Sequence, residues 1–408
     1  HSLRFQEVGY MRIAFLTPEF VTESNFDGGL ANYLNRVTIS LKDMGHEPVV
    51  IVASDRDGMI LHNGIEVHRV MMKSSLRKTI NVLTLRKLSQ AIHWVHQSRR
   101  LNIRLKELHR KQPFDIAQYA SYTATALFRW KNIPAVVRIS SYQKLWDKHY
   151  NLKSSFNGRV CVFLELRSLR RADGVFGPSD LIATVLSEET HRHIEVIESP
   201  FLINEEVTDE TVYRSFLQGK SYLLFFGTLG RLKGVDIIAE ILHPLLSEHQ
   251  DLHFVFAGKQ THYQGLPISE HILQKAGPYH LRVLFLDKLT HKELYPIVSN
   301  AYLVVLPSRI DNLPNTCIES MALGKVVIGS KGASFEQLIE DGKSGFLCDK
   351  ENPKSLLDTI ETVMNLVKEE IDRIGANARE RIEKLAPIYT VTRLVQYYQS
   401  VIAQKSKR

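Results

Sequence analysis

Cysteine is scarce in this 408-residue chain: Cys161, Cys317 and Cys348 are odd in number and lack metal-ligand spacing. That argues against a disulfide-stapled fold or a cysteine-held metal, and makes free thiols in a reducing, cytoplasmic setting the expectation. Long apolar runs are missing too, since Tyr222–Phe226 and Tyr302–Leu306 fall far short of the roughly 20 residues that span a bilayer. Residues 1–10 have no apolar signal core, and Met11-Arg-Ile-Ala-Phe-Leu reads as a natural start, so 1–10 are expected to be an extraneous leader. There is no internal repeat or low-complexity segment, which leaves an ordinary globular chain. Its 44% hydrophobic and 24% charged residues fit that class.

A chain of this length is expected to form two domains. The net charge of +8 is concentrated. Lys73, Arg77, Lys78, Arg86, Lys87, Arg99, Arg100, Arg104, Lys106, Arg110 and Lys111 have only Glu107 as a nearby acid. Leu76, Ile80, Leu83, Leu85, Leu88, Ile92 and Trp94 interleave with these cations. Two readings stay open: amphipathic helices resting on anionic lipid, or a solvated basic face over a buried stripe. Nucleic-acid binding lacks a stacking platform or motif.

Ile13–Leu16 reads as a strand, and Leu30, Tyr33, Leu34, Val37, Leu41 and Met44 follow at helical spacing before Gly45. Val49–Ala53 is the next strand, so the chain opens as strand, helix, strand, the beginning of a parallel α/β sheet. Ala135–Ile139 and Gly174–Gly177 continue it. The alternation restarts at Tyr222–Phe226, with a helix from Val235 and strands at His253–Ala257, Val283–Leu286, Tyr302–Leu306 and Val326–Gly329. Polar residues 203–210 are the expected linker, giving domains 11–202 and 203–386 and a final helix within 387–408.

Three segments carry candidate chemistry. Asp27-Gly-Gly-Leu30 lies between a strand and a helix, where small residues admit a phosphate or sugar to backbone N–H groups. It equally suits an ordinary turn, and the absence of a full GxGxxG counts against a nicotinamide site. Gly227-Thr-Leu-Gly-Arg-Leu-Lys-Gly234 places a basic glycine-containing loop at the corresponding point of the second domain. Lys233 there is either a solvated lysine or a cation for a departing diphosphate. Pro307–Gly324 follows a strand and enters a helix near Thr316, with Asp311 in the loop and Glu319 in the first helical turns. Asn312 or Asn315 as an N-cap explains the asparagines but not the paired carboxylates.

At these residues the sequence resembles the retaining glycosyltransferases of family 4, over nearly all of the chain after Met11. The resemblance implies an α/β GT-B fold: two facing Rossmann-like domains, an interdomain cleft closing over the reactants, and a C-terminal helix crossing back to the first domain. It implies a nucleotide sugar as donor substrate, with neither a cofactor nor a metal. The acidic pair separated by seven residues is its most specific part, Asp311 taking the transferred sugar and Glu319 the ribose. Asn312, Leu313, Pro314, Asn315 and Thr316 would line the sugar and distal phosphate, Lys233 would hold the diphosphate, and Gly28 and Gly29 would form the first-domain loop. Thr228, Arg231 and Leu289 complete the donor set, and Ser140 joins Lys233 and Asp311 as catalytic. The family's habits point to UDP-glucose, and the basic stretch to a lipid-linked or envelope polysaccharide acceptor at the inner face of the plasma membrane.

Three departures stand out: Thr228 where the family usually has arginine, Ser140 where it often has histidine, and Asp311 where glutamate is more frequent. A sugar-nucleotide epimerase of the same fold, or a catalytically weak binding protein, remains the rival.

Overall fold

Strands that are apolar at every position are buried on both faces, and both units of this protein are built from such strands. The computed structural model describes residues 9–24, 29–72, 88–140, 142, 144, 155–203, 208–263 and 265–407. The chain divides into one unit of the residues up to Pro200 with those from Ala386 onward, and another of Phe201–Leu385.

The first unit runs β1 (Arg12–Thr17), α1 (Gly29–Asp43), β2 (Glu47–Ser54), β3 (Gly58–His62), β4 (Ile65–Met71), α2 (Ser89–Lys111), β5 (Ile116–Ala120), β6 (Ala135–Arg138), α3 (Phe156–Arg171), β7 (Gly174–Gly177), α4 (Asp180–Thr190) and β8 (Glu195–Val196). The sheet order is β3-β4-β2-β1-β5-β6-β7-β8. β3 pairs antiparallel with β4, and the remaining neighbours pair in parallel. The two-residue side-chain period sends Ile13, Phe15, Val50 and Val52 into one core and Ala14, Leu16, Val49 and Ile51 into the other. Burial of each large aliphatic side chain contributes about 1.5–3 kcal/mol, so these strands hold the sheet with little help from loops.

The C-terminal helix Pro387–Ser406 belongs to this unit and closes its first core. It fills nearly all of the expected 387–408 segment. Pro387 occupies its first turn, where the missing N–H costs no helical bond. Val391, Leu394, Val395 and Tyr398 recur at helical spacing and are buried against the sheet. Tyr397 Oη donates to the Val175 carbonyl at 3.1 Å, and Lys405 Nζ lies 2.8 Å from Asp173.

The second unit contains α5 (Thr211–Phe216), β9 (Ser221–Phe226), α6 (Val235–Glu248), β10 (Leu252–Ala257), β11 (His262–Tyr263), β12 (Leu266–Pro267), α7 (Ile268–Ala276), β13 (Val283–Leu286), α8 (His291–Asn300), β14 (Leu303–Leu306), α9 (Asn315–Ala322), β15 (Val327–Ser330), β16 (Phe346–Cys348), α10 (Pro353–Met364) and α11 (Lys368–Glu383). Its main sheet is parallel in the order β13-β10-β9-β14-β15-β16. Entry and exit of the chain are stitched together, since the Phe201 N–H donates to the Leu385 carbonyl at 2.9 Å and both side chains lie in the core. That bond sets the division ahead of the polar linker segment, whose residues 204–207 lie outside the described residues.

The connections run outward from β9 to β10 and β13, then return to β14 on the other side of β9. The crevice outside the carboxyl ends of β9 and β14 is therefore the topological switch point, the place where open parallel sheets bind ligands.

Candidate functional site

Two of the three segments singled out from the sequence meet at that switch point. The 227–234 loop leaves β9 and the 307–314 loop leaves β14, and their backbones touch. Gly234, at φ 72°, opens α6, and a Cβ there would lie 1.9 Å from the Pro307 carbonyl oxygen. Only glycine combines that left-handed backbone with so close an approach. Gly258 makes the same demand on the other side of the loop, because a Cβ there would lie 2.0 Å from the Gly227 carbonyl oxygen.

The apposition brings Lys233 and Asp311 into contact, with the ammonium donating to Asp311 Oδ2. Oδ1 accepts from the Asn312 N–H at 3.1 Å, and the Asp311 carbonyl accepts from Ser334 Oγ at 2.8 Å. The carboxylate is thus fixed at both oxygens and is 9% exposed. Thr316 lies just beyond, its Cγ2 3.5 Å from the position a Gly227 Cβ would take.

α9 starts at Asn315 with Pro314 at the N-cap position and no side-chain cap bond. Neither Asn312 nor Asn315 caps it, contrary to the capped-helix alternative, because Pro314 takes the capping position and has no side-chain acceptor. The helix start therefore presents its backbone N–H groups without a capping side chain, as anion-binding helix termini do. Glu319 is buried at 7% exposure one turn further on, and His291 Nε2, at the start of α8, lies 3.7 Å from its Oε1.

Arg309 was not singled out from the sequence, yet it ties this crevice together. Its guanidinium forms a bidentate pair with Asp236 at 2.6 and 2.9 Å, reaches Glu351 at 2.6 Å, and donates to the Arg231 carbonyl. Its backbone N–H donates to the Leu232 carbonyl at 2.8 Å. Burial works against its charge, but the bonds to Asp236 and Glu351 hold its pKa above the ordinary arginine value. The same contact holds the Glu351 carboxyl below the usual range. Arg309 lies inside the Pro307–Gly324 segment, but the partners that reveal its role are 73 and 42 residues away. His291 left no signal beyond its place at a helix start.

The remaining donor candidates are less tightly held. Arg231 is more than half exposed, its Nε 3.9 Å from Asp236 Oδ2. Thr228 is exposed, Leu289 is half-buried against the core, Leu313 and Pro314 are buried, and Asn315 is exposed. Gly28 lies outside the described residues, as do residues 73–87 of the basic stretch. Gly29 begins α1, with open space where a Cβ would stand.

Ser140 belongs to the first unit, just past β6, and its N–H donates to Ser121 Oγ at 3.2 Å. Ser121 in turn hydrogen-bonds Glu165 of α3, whose carboxyl is pushed up to about 8, mainly by burial and against the opposing Ser121 bond. The adjoining turn carries Thr123 and Ala124 at φ 63° and 52°, a conformation that costs a non-glycine residue free energy. Arg138, also at this edge, is buried with its guanidinium 3.6 Å from the Tyr33 ring and donates to Ser199 Oγ at 3.1 Å. Among the described residues no group of three or more His, Cys, Asp and Glu side chains is arranged to hold a metal ion. No described helix is long and apolar enough to cross a membrane.

Residues 28–195 match the model of the glycosyl transferase 4-like domain, and residues 212–381 that of the glycosyl transferases group 1. The chain is 24% identical over 255 residues to the alpha-D-kanosaminyltransferase of Streptomyces kanamyceticus, covering 60% of this chain and 65% of that one. It is 27% identical over 182 residues to spore coat protein SA of Bacillus subtilis, covering 41% and 45%. The chain thus spans less than two thirds of the length of these relatives. Among solved structures it is similar to sucrose-phosphate synthase from Thermosynechococcus elongatus, with TM-score 0.75 and 16% identity over 96% of this chain and 100% of that one. It is also similar to Anabaena HepE in complex with UDP, with TM-score 0.70 and 18% identity over 96% and 100%. HepE has been solved with UDP-glucose as well. At these identities the likeness shows the fold, which is GT-B.

Proposed function

Because the chain belongs to the group 1 glycosyltransferases with a 4-like first domain, we propose that it transfers glucose from UDP-glucose, with retention and without a metal, to a lipid-linked or envelope polysaccharide acceptor. The observation that carries this reading is the meeting of Lys233 and Asp311 at the switch point, with Glu319 buried at the start of the next helix. The UDP and UDP-glucose complexes of HepE support the choice of donor.

The chemistry follows from these groups. Lys233 supplies a fixed cation where charge grows on the departing diphosphate, and the uncapped N–H groups of α9 add to it. Asp311 accepts from sugar hydroxyls and Glu319 from the ribose. Donor binding exchanges the Lys233–Asp311 contact for one bond from each side chain to the ligand, so neither charge is left unpaired. The anomeric C–O bond to the diphosphate breaks as the acceptor oxygen bonds on the same face, and the acceptor proton passes to a diphosphate oxygen. Arg309 does not replace the arginine that the family carries at Thr228, because its donors are already committed to Asp236, Glu351 and the Arg231 carbonyl. Arg231, half exposed beside the same loop, is the available second cation. The acceptor is assigned to the first unit. A lipid-linked acceptor of this kind is met in the cytoplasm at the inner face of the membrane.

The test is thermal unfolding with UDP, GDP and ADP and their sugar conjugates. A ligand at about 100 times its Kd stabilises the native state by roughly 2.7 kcal/mol. Selective stabilisation by UDP and UDP-glucose supports the donor, and no shift with any nucleotide overturns the reading. Product analysis with added acceptor then separates transfer from epimerisation of the donor.

A further inference from the structure

The helix α3 carries a charge pattern that the site does not use. Its sixteen residues hold Arg159, Arg167, Arg170 and Arg171, and Glu165 is their sole acid. At 3.6 residues per turn, Phe156, Arg159, Phe163, Arg167 and Arg170 fall within an arc of about 80°, and Glu165 lies roughly opposite Phe156. The structure confirms the separation: Phe156 and Phe163 are 57% and 56% exposed, the arginines of the arc are exposed, and Glu165 is buried. The Arg159 guanidinium sits 5.8 Å from the Phe156 ring. Among the described residues neither Arg159 nor Arg167 has a carboxylate partner.

We infer that this face of α3 is a membrane-docking surface for a bilayer rich in anionic lipid. A helix that lies in a bilayer interface needs aromatic side chains to enter the acyl boundary and cations beside them to meet lipid phosphates. Two exposed phenylalanines interleaved with Arg159 and Arg167, and no acid on the arc, meet that need by shape and by charge; Arg170 on the same arc donates to the Glu189 carbonyl at 2.8 Å. The neighbouring α2, part of the basic stretch for which both readings stayed open, spends its cations nearer home. Arg104 pairs with Glu107 at 3.1 Å, Arg100 lies 3.9 Å from Asp57, and Lys106 stands over the Trp130 ring. The docking face thus belongs to α3, beside α2, whose Ala91 N–H donates to Asn157 Oδ1 of α3 at 3.2 Å.

The experiment is cosedimentation of the full chain with vesicles of phosphatidylcholine mixed with phosphatidylglycerol, and with phosphatidylcholine alone. It uses neither sugar nor nucleotide, so its outcome is independent of the transferase reading. Binding is expected to the mixed vesicles only and to weaken with salt. Each basic residue near such a surface contributes about fivefold, so Arg159→Gln with Arg167→Gln is expected to weaken binding roughly 25-fold. Phe156→Ser with Phe163→Ser is expected to remove the salt-resistant part, and Arg110→Gln with Lys111→Gln on α2 to change little. All these side chains are exposed, so unfolding temperatures measured alongside should stay at the wild-type value. Arg167→Gln alone, expected to cost about fivefold, serves if a double variant melts early. Failure of the wild-type chain to bind, equal loss in the α2 variant, or capture of RNA in preference to vesicles overturns the inference.

Discussion

The surroundings of Lys233 in the second unit and of Ser140 in the first handle charge in opposite ways. In the second unit, ionised groups are brought together: Lys233 with Asp311, and Arg309 with Asp236 and Glu351. In the first unit, Arg69 pairs with Glu23 at 2.8 Å, but the charged forms of the ionisable groups around Ser140 are disfavoured by burial. Glu165 is held protonated near neutral pH with Ser121 as its partner, and burial lowers the pKa of Arg138, which rests on an aromatic ring. A crevice that must meet a diphosphate keeps its charges at full strength and fixes them beforehand. The hydroxyls of Ser121 and Ser140 and the protonated Glu165 carboxyl offer hydrogen bonds of the kind that hydroxyl-rich ligands use.

The comparison is broken most severely at Arg309. Arg309→Ala leaves the largely buried Asp236 with only Arg231 at 3.9 Å in place of its bidentate partner, and removing one partner of such a buried pair costs about 3–5 kcal/mol. Denaturant melts should register that loss, whereas a surface arginine of ordinary consequence would leave the midpoint in place.

Lys233→Ala addresses the other ion pair. Removal of one preorganised group that stabilises transition-state charge lowers kcat by about 10²–10³-fold. Initial rates of UDP release should show that drop, with an unchanged circular dichroism spectrum, and wild-type rates would remove Lys233 from the site.

Gly234→Ala tests whether close apposition of the two loops is what unites the pair. The left-handed backbone costs about 1–2 kcal/mol for a side chain, and the clash with the Pro307 carbonyl adds to it. We expect lower stability together with weaker UDP-induced stabilisation in thermal melts.

Glu165→Gln sharpens the contrast from the first unit. The native carboxyl, with its pKa raised to about 8, binds a proton that the unfolded chain releases near 4.5. Its contribution to stability is therefore complete below pH 4.5 and is lost as pH rises through about 8. Glutamine copies the neutral carboxyl, so the variant should lose this slope and be more stable than the wild type at pH 8, by roughly 4 kcal/mol at about 1.4 kcal/mol per pKa unit. Equal slopes in melts across that range would show Glu165 to be ionised already.

Much of this was legible beforehand because it depends on short-range pattern. The apolar runs at Ile13–Leu16, Val49–Ala53 and Tyr222–Phe226 became central strands within a residue or two of their expected limits. The spacing of Asp311 and Glu319 placed one acid in a loop and the other on the following helix. The hairpin β3–β4 was not legible, since Met59 and Leu61 face solvent and give no core signal. Nor was Arg309, whose role rests on Asp236 and Glu351, residues brought to it by the order of the strands. The α3 docking face was hidden for a related reason: its acid and its arginines are neighbours in sequence, and the helix turns them to opposite sides.

The sequence by itself determined the alternation of strands and helices, the two-unit organisation and the residue types at each strand-to-helix turn, because period and local chemistry are properties of a few adjacent residues. Tertiary structure alone decided which turns share a crevice. Strand order places the β9 and β14 loops side by side, Gly234 lets their backbones touch, and long-range ion pairs then fix which charges face the opening.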